Sequence, residues 1–158
     1  MDVIPYPTAP WIIAQAVPSP QVVVHEQRAH VGARWQLTPI LYSFGVNRRT
    51  APWRVFVVEP FVRQSGSIEL FVSPEYLAVD VRAVDRFSMR IGTRTYFPLI
   101  NHGENLSMSI GTSYGTFGGG FVAYELGFYV LFGFLGVQVA ASPTPDAPLI
   151  GTLSVRVF

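Results

Sequence analysis

Apolar and polar residues alternate one by one along several short stretches of the chain. In the clearest stretch, residues 105–115, Leu106, Met108 and Ile110 alternate with serine and glycine. The same two-residue period recurs in residues 67–76, 87–97 and 149–157. Successive side chains of a β-strand point to opposite faces of the sheet, whereas a helix would spread these apolar residues around its circumference. The pattern therefore predicts β-strands that each have one apolar face.

Clusters of glycine, proline, asparagine and serine divide the chain into eight such stretches. We predict strands at residues 34–46, 53–64, 67–77, 86–97, 105–116, 121–130, 134–141 and 149–158. Short turns between antiparallel strands are typical of an up-and-down barrel or a sandwich. We expect an all-β fold, an eight-stranded antiparallel up-and-down barrel that crosses a membrane. Pro39, Pro60 and Pro74 each remove a ladder donor from the first three strands and predict bulges or bends there.

The first part of the chain has a different composition. Five of the 13 prolines lie within residues 1–20, and proline favours extended, irregular backbone. We therefore predict an extended, proline-rich N-terminal segment at residues 1–33 and a barrel at residues 34–158. Within the segment, three possibilities stay open for residues 21–31: they add a strand, fill the lumen or hang free. Met1 is not followed by a basic stretch and an apolar run, so no signal peptide is predicted at this N-terminus.

The polar strand faces indicate whether the apolar faces point inward or outward. Charged residues make up 13% of the chain, against about 25% in a typical soluble domain. The polar faces hold mainly serine, glycine and threonine, together with arginines and glutamates that balance in number. Because buried charges need partners, we predict an ion-pair network in the barrel lumen that consists of Glu59, Arg63, Glu69, Glu75, Arg90, Arg94, Glu125 and Arg156.

A lumen of small residues and paired ions leaves the apolar faces to contact lipid. We expect the lipid-facing side chains to include Ile68, Leu70, Val72, Met89, Ile91, Leu106, Met108, Ile110, Leu153 and Val155. Membrane barrels carry aromatic girdles at both interfaces. The aromatic residues that lie toward the ends of the predicted strands are Trp35, Trp53, Tyr76, Tyr96, Phe97, Tyr114 and Phe158.

In these features residues 34–158 resemble bacterial outer-membrane β-barrels, whose last strand commonly ends in phenylalanine, as this chain ends at Phe158. The resemblance implies a location in the bacterial outer membrane, with membrane lipid around the barrel. It also implies that the barrel-assembly machinery reads the C-terminal strand. Here Phe158 is in phase with the polar Ser154 and Arg156, whereas the family places it on the apolar face.

The chain has few candidate catalytic or metal-binding groups. It has no cysteine and three histidines. His102, with Ser107 and Ser109 just beyond it, could supply the base of a Ser/His/Glu hydrolase at the barrel rim, but a polar turn explains the same residues. His25 and His30 are spaced five apart, which fits neither one strand face nor one helix face for metal binding. We predict no catalytic residue, no metal site and no cofactor.

Residues 121–141 allow an alternative reading. They carry one charge, Glu125, and are long and apolar enough for a transmembrane helix. Their aromatic and β-branched residues favour strands instead, so we predict a hairpin that turns near residues 131–133.

These features favour a structural or envelope-interaction role over catalysis, with residues 1–33 contacting another envelope protein. Three alternatives remain open: a soluble barrel that binds a small apolar ligand, a lipid-modifying enzyme with His102 as base, and a narrow pore. The net charge of +1, with no lysine, argues against a nucleic-acid partner.

Overall fold

The computed structural model describes residues 17–25, 27–45, 63–78, 87–144 and 149–155. Nine strands lie within these ranges: β1 (Ser19–His25), β2 (Arg28–Arg34), β3 (Leu37–Ser43), β4 (Ser67–Ala78), β5 (Phe87–Ile100), β6 (Leu106–Gly115), β7 (Phe121–Val130), β8 (Leu135–Ala141) and β9 (Leu149–Val155). All the pairings between them are antiparallel. The predicted all-β class is confirmed.

The strands close into a barrel with an eight-strand wall. β2 and β3 together occupy one wall position, because β2 pairs with the second half of β4 and β3 pairs with the first half. The order around the wall is β4, β5, β6, β7, β8, β9, β1 and β2, and the β2–β4 pairing closes the ring. Closure gives β1, β2 and β4–β9 a neighbour on both sides, whereas β3 pairs with β4 alone among the described strands. The expected eight-stranded antiparallel barrel is therefore confirmed.

Two prolines explain why one wall position is divided between β2 and β3. The Trp35 N–H donates to the carbonyl of Pro74 at 3.0 Å, but Pro74 has no N–H to donate in return, so the ladder is interrupted at Trp35. The register also shifts between Leu37 and Ile40, a step that contains Pro39. Bulges and interruptions at these positions follow from the missing donors. β4 itself stays in register with β5 through Pro74, and Pro60 lies outside the described residues.

The barrel has two ends. At one end, which we call the terminal end, the first strand begins (Ser19) and the last strand ends (Val155). The other strand ends found there are Ser43, Ser67, Ile100, Leu106, Val130 and Leu135. The opposite, distal end holds His25, Arg28, Ala78, Phe87, Gly115, Phe121, Ala141 and Leu149.

The wall begins earlier in the sequence than the expected boundary at residue 34. β1 pairs with β2 from Ser19↔Arg34 to His25↔Arg28, and it also pairs with β9. The β-branched residues Val22–Val24 favour a strand. Pro20 is compatible with the edge of that strand, since proline is tolerated at strand starts. The second half of the segment expected to be extended and irregular is therefore part of the barrel.

The strands predicted from residue 67 onward are observed, whereas the strand predicted at 53–64 lies mostly outside the described residues. The stretch 121–130 has the bounds of β7, and the predicted strands from 67–77 onward correspond to β4–β9. The predicted strand 53–64 lies outside the described residues except for Arg63 and Gln64, which are not in a strand.

Residues 121–141 form the predicted hairpin of β7 and β8. Its turn is closed by Gly133 N–H donating to Val130 O at 3.1 Å and Phe134 N–H donating to Leu131 O at 2.9 Å. In the described part of the chain, no helix has the length and apolarity needed to span a membrane.

Candidate functional site

The outward-pointing positions of the described wall strands carry no charged side chain. They are aliphatic or aromatic residues, methionine, alanine, proline and glycine, and the polar exceptions are Thr93, Thr95 and Thr112. Arg28 is exposed at the distal end, past the last pair between β2 and β4, Val31↔Ala78. We call this outer face of the wall the apolar belt. Exposed apolar surfaces of this extent are typical of interaction sites.

Most of the side chains expected to face lipid lie on the apolar belt. Ile68, Met89, Ile91, Ile110 and Leu153 are exposed. A second group is half-buried between its neighbours on the wall: Leu70, Val72, Leu106 and Met108. The side chain of Val155 lies outside the described residues.

Aromatic residues of the belt gather toward the two ends. At the distal end Tyr76 packs against Phe87 with ring centroids 5.0 Å apart, and Tyr114 is exposed nearby. Toward the terminal end the exposed rings are Tyr42, Phe97 and Phe128. Trp35 is half-buried, while Trp53 and Phe158 lie outside the described residues.

Tyr96 was expected among these rings, but it points into the barrel. It is 0% exposed, because it shares the inward phase of Arg90 and Arg94 along β5. Proximity to a strand end was the wrong criterion for this residue, since the two-residue phase decides the face.

The interior holds a chain of six charged side chains that alternate in sign from the terminal end to the distal end. In order they are Arg63, Glu69, Arg94, Glu125, Arg90 and Glu75. We call this chain the charge ladder. All six side chains are buried, so each charge depends on its neighbours in the ladder for compensation.

The terminal half of the ladder is centred on Glu69, which is 0% exposed. Arg63 Nε lies 3.1 Å from Glu69 Oε2, and Arg94 Nη1 lies 3.4 Å from Glu69 Oε1. Thr38 Oγ1 and Tyr96 Oη donate to the same carboxylate at 3.0 Å and 2.8 Å. These donors compensate the buried carboxylate from several directions.

The distal half of the ladder is centred on Glu125. Arg94 Nη2 donates to one of its oxygens, and Arg90 Nη1 lies 3.3 Å from the other. Ser113 Oγ also donates to Glu125, at 2.7 Å. Arg90 Nη2 then reaches Glu75 Oε1 at 2.8 Å, and Arg34 Nε lies 3.8 Å from the same oxygen.

Six members of the predicted lumen network therefore lie together in the ladder, and the other two, Glu59 and Arg156, lie outside the described residues. Arg34, which the strand pattern did not predict as a lumen residue, is buried as well and forms an ion pair with Glu75 of the ladder. Arg34 Nη1 donates to Gln138 Oε1 at 3.0 Å, and Arg34 Nε donates to Ser73 Oγ at 3.1 Å. Arg34 shares one face of β2 with Gly32 and His30. This alternation would indicate that Arg34 points inward once residues 28–34 are taken as a strand.

Phe71 contacts two of the interior guanidinium groups. Arg94 Cζ lies 4.4 Å from the centre of its ring, and Arg34 Cζ lies 5.6 Å from it. An aromatic face attracts cations, so the ring adds to the compensation of both buried charges.

A pair of tyrosines fills the terminal half of the interior. The rings of Tyr96 and Tyr129 are 5.4 Å apart. Tyr129 Oη lies 3.0 Å from Ser109 Oγ and accepts a hydrogen bond from the Gln138 amide. The interior at this level is occupied by side chains with satisfied polar groups.

The terminal end is closed by residues 63–66, which we call the cap. Gln64 is buried, and Ser107 Oγ donates to its side-chain oxygen. Gly103 and Gly133 border Gln64 so closely that a Cβ at either position would overlap it. The distal end is closed by a buried apolar cluster made of Val23, Leu77, Phe117, Phe121, Ala123, Ala140 and Ile150.

Gln21 differs from the other interior polar residues. It is 1% exposed, and neither atom of its amide has a hydrogen-bond partner among the described residues. It lies beside Thr152, which in turn pairs with Gln138.

The residues considered for catalysis are not brought together. His102 is exposed in the turn after β5, with φ of 55°. Ser107 and Ser109 point to the interior, where they bond to Gln64 and Tyr129. Within the described ranges, no group of three or more histidine, cysteine, aspartate or glutamate residues could hold a metal ion.

Comparison with protein-family models, with curated proteins and with solved structures finds no match for this chain.

Proposed function

We propose that this chain is an integral β-barrel of the bacterial outer membrane, with a structural or envelope-interaction role and no catalytic one. The observation that carries the proposal is the distribution of charge across the wall. The described outward positions carry no charge, while Arg90, Arg94 and Glu69 are at most 1% exposed inside it. A protein folded in water would have the reverse distribution.

Part of the wall also has the strand length that hydrocarbon requires. A membrane-crossing strand needs about 9–11 residues; β4, β5, β6 and β7 have 12, 14, 10 and 10, whereas β1, β8 and β9 have 7 each. Backbone polar groups in lipid must be paired within the protein, and the closed wall gives every described strand except β3 a partner on both sides. The aromatic residues near both ends of the belt correspond to the positions of interfacial girdles.

The interior favours a structural role over transport or ligand binding. An eight-stranded barrel has room for side chains but little more. Here the cap closes the terminal end and the apolar cluster closes the distal end. The charge ladder runs between them, and Tyr96 of the tyrosine pair bonds to its terminal half at Glu69. An apolar ligand would have to displace paired charges, and a pore would need both ends to open.

Two partners belong to the proposal besides lipid. The barrel-assembly machinery would read the C-terminal strand, which ends the chain at Phe158. Another envelope protein is the second partner, and the N-terminal residues would contact it.

Refolding tests the proposal. The full chain, diluted from urea into detergent micelles or phospholipid vesicles, should give a β-sheet circular dichroism spectrum and an unheated gel band that moves differently from the boiled one. A chain that shows neither the β-sheet spectrum nor the shifted gel band, in micelles and in vesicles alike, would contradict the proposal. A control dilution into plain buffer should give neither signal.

A further inference from the structure

Two turns at the terminal end have matching backbone conformations but opposite side-chain character. The β5–β6 turn contains Asn101 and His102 with φ of 49° and 55°, followed by Gly103 with φ of 89°. The β7–β8 turn contains Leu131 and Phe132 with φ of 51° and 57°, followed by a glycine with φ of 80°. Each turn therefore has two left-handed residues and then a glycine.

The left-handed conformation is suited to the first turn and poorly suited to the second. Asparagine and histidine are enriched among residues with positive φ, and leucine and phenylalanine are not. The tips of water-facing hairpins normally carry asparagine, aspartate or glycine. Leu131 and Phe132 are nevertheless exposed by 57% and 40%, so neither water nor backbone preference explains their presence.

The β7–β8 turn is held rigidly, so it presents these two side chains in a fixed direction. Phe132 N–H donates to the carbonyl of Glu104 at 2.7 Å. Gly133 is buried against Gln64 of the cap. One side of the turn therefore packs on the barrel, and the other side, with Leu131 and Phe132, faces outward.

The exposed tip is continuous with the apolar belt. Cross-strand pairing aligns Ile100, Leu106, Val130 and Leu135 in one apolar row at the terminal end of β5–β8. Leu131 is the next residue along the chain after Val130, which is a member of this row. The apolar surface of the wall therefore extends past the last strand pair and onto the turn.

We propose that the β7–β8 turn is embedded in the bilayer, with Leu131 and Phe132 at the boundary between lipid headgroups and acyl chains, while the neighbouring Asn101–Gly103 turn remains in water. The inference rests on the proposed function and makes it more specific: the partner of this surface is lipid, argued from its continuity with the belt. The membrane boundary would then pass between two adjacent turns, so the barrel is anchored unevenly at its terminal end.

Single cysteine labels test the inference, because the chain has no cysteine of its own. Phe132→Cys, His102→Cys and Leu126→Cys variants carry a nitroxide and are refolded into phosphatidylcholine vesicles. Collision of each label with dissolved oxygen and with a water-soluble nickel chelate is then measured. The label at position 132 should meet the nickel chelate about tenfold less often than the label at position 102, as for a group buried in the headgroup–acyl boundary.

The position 126 label separates failure of the inference from failure of the proposed function. A label at position 126 that is exposed to the nickel chelate in refolded protein would contradict the membrane barrel itself. A lipid-exposed label at position 126 combined with equal nickel exposure at positions 132 and 102 would overturn the embedded turn alone. If Phe132→Cys does not refold, Leu131→Cys, whose side chain is more exposed, replaces it with the same expected result.

Discussion

Arg94 and Glu125 pair across β6 because Gly111 lies between them. Gly111 is the cross-strand neighbour of Arg94 on one side and of Glu125 on the other. The missing side chain lets the guanidinium of β5 reach the carboxylate of β7 over the intervening strand. The join between the two halves of the charge ladder thus depends on a glycine in the wall.

Gly111→Ala should weaken this pair. A Cβ at Gly111 would lie 3.2 Å from Arg94 Cα and Cβ and closer still to Thr93 O, so the backbone or Arg94 must move. We expect a loss of about 1–3 kcal/mol in the free energy of unfolding, measured by urea titration in lipid vesicles. Gly151→Ala is the matched control, because a Cβ there meets only Val22 O, at 3.9 Å. Equal losses in the two variants would contradict this account.

Glu125→Gln should strongly destabilise the barrel. The change removes the negative charge that compensates both Arg94 and Arg90, and breaking a buried ion pair costs about 3–5 kcal/mol. Glu104→Gln, in the turn at the terminal end, should change the free energy of unfolding far less. Urea titration of both variants in the same vesicles measures the difference. A Glu125→Gln variant as stable as Glu104→Gln would show that the ladder does not stabilise the fold.

A charge placed on the apolar belt should cost more at mid-wall than near its edge. Leu126→Arg, at the middle of β7, should lower the free energy of unfolding in vesicles by about 2–4 kcal/mol, whereas the cost near an interface falls to about 0–1 kcal/mol. Val122→Arg, on the same face one residue from the distal end of β7, provides that comparison. Equal costs at the two positions would argue against a bilayer around the wall.

Two buried glutamines should respond in opposite directions to the same substitution. Gln21→Leu removes an amide that has no partner among the described residues, and we expect a gain of about 1–3 kcal/mol, the cost of an unsatisfied buried group. Gln138→Leu removes a partner of Arg34 and Tyr129 and should reduce stability. Urea titration of both variants provides the test. A loss of stability in Gln21→Leu would show that its amide is bonded, for example to internal water.

The sequence predicts well the strand bounds and the inward-facing side chains that follow from the two-residue alternation. β7 was predicted with its observed bounds, and Arg90 and Arg94 lie inside because they share one phase of β5. β1 was missed because Val22–Val24 is an unbroken apolar run with no alternation, in a region rich in proline. The burial of Gln64 depends on Gly103 and Gly133, which lie in two turns far from it in the sequence. No local sequence pattern indicates such a tertiary contact.

The central claim is that hydrocarbon, and not water, covers the outer wall. The most direct test is the state of the purified full chain after detergent and lipid are removed, followed by light scattering and circular dichroism. We predict that the chain aggregates or loses its β structure under these conditions. A folded, monodisperse monomer in plain buffer would contradict the account.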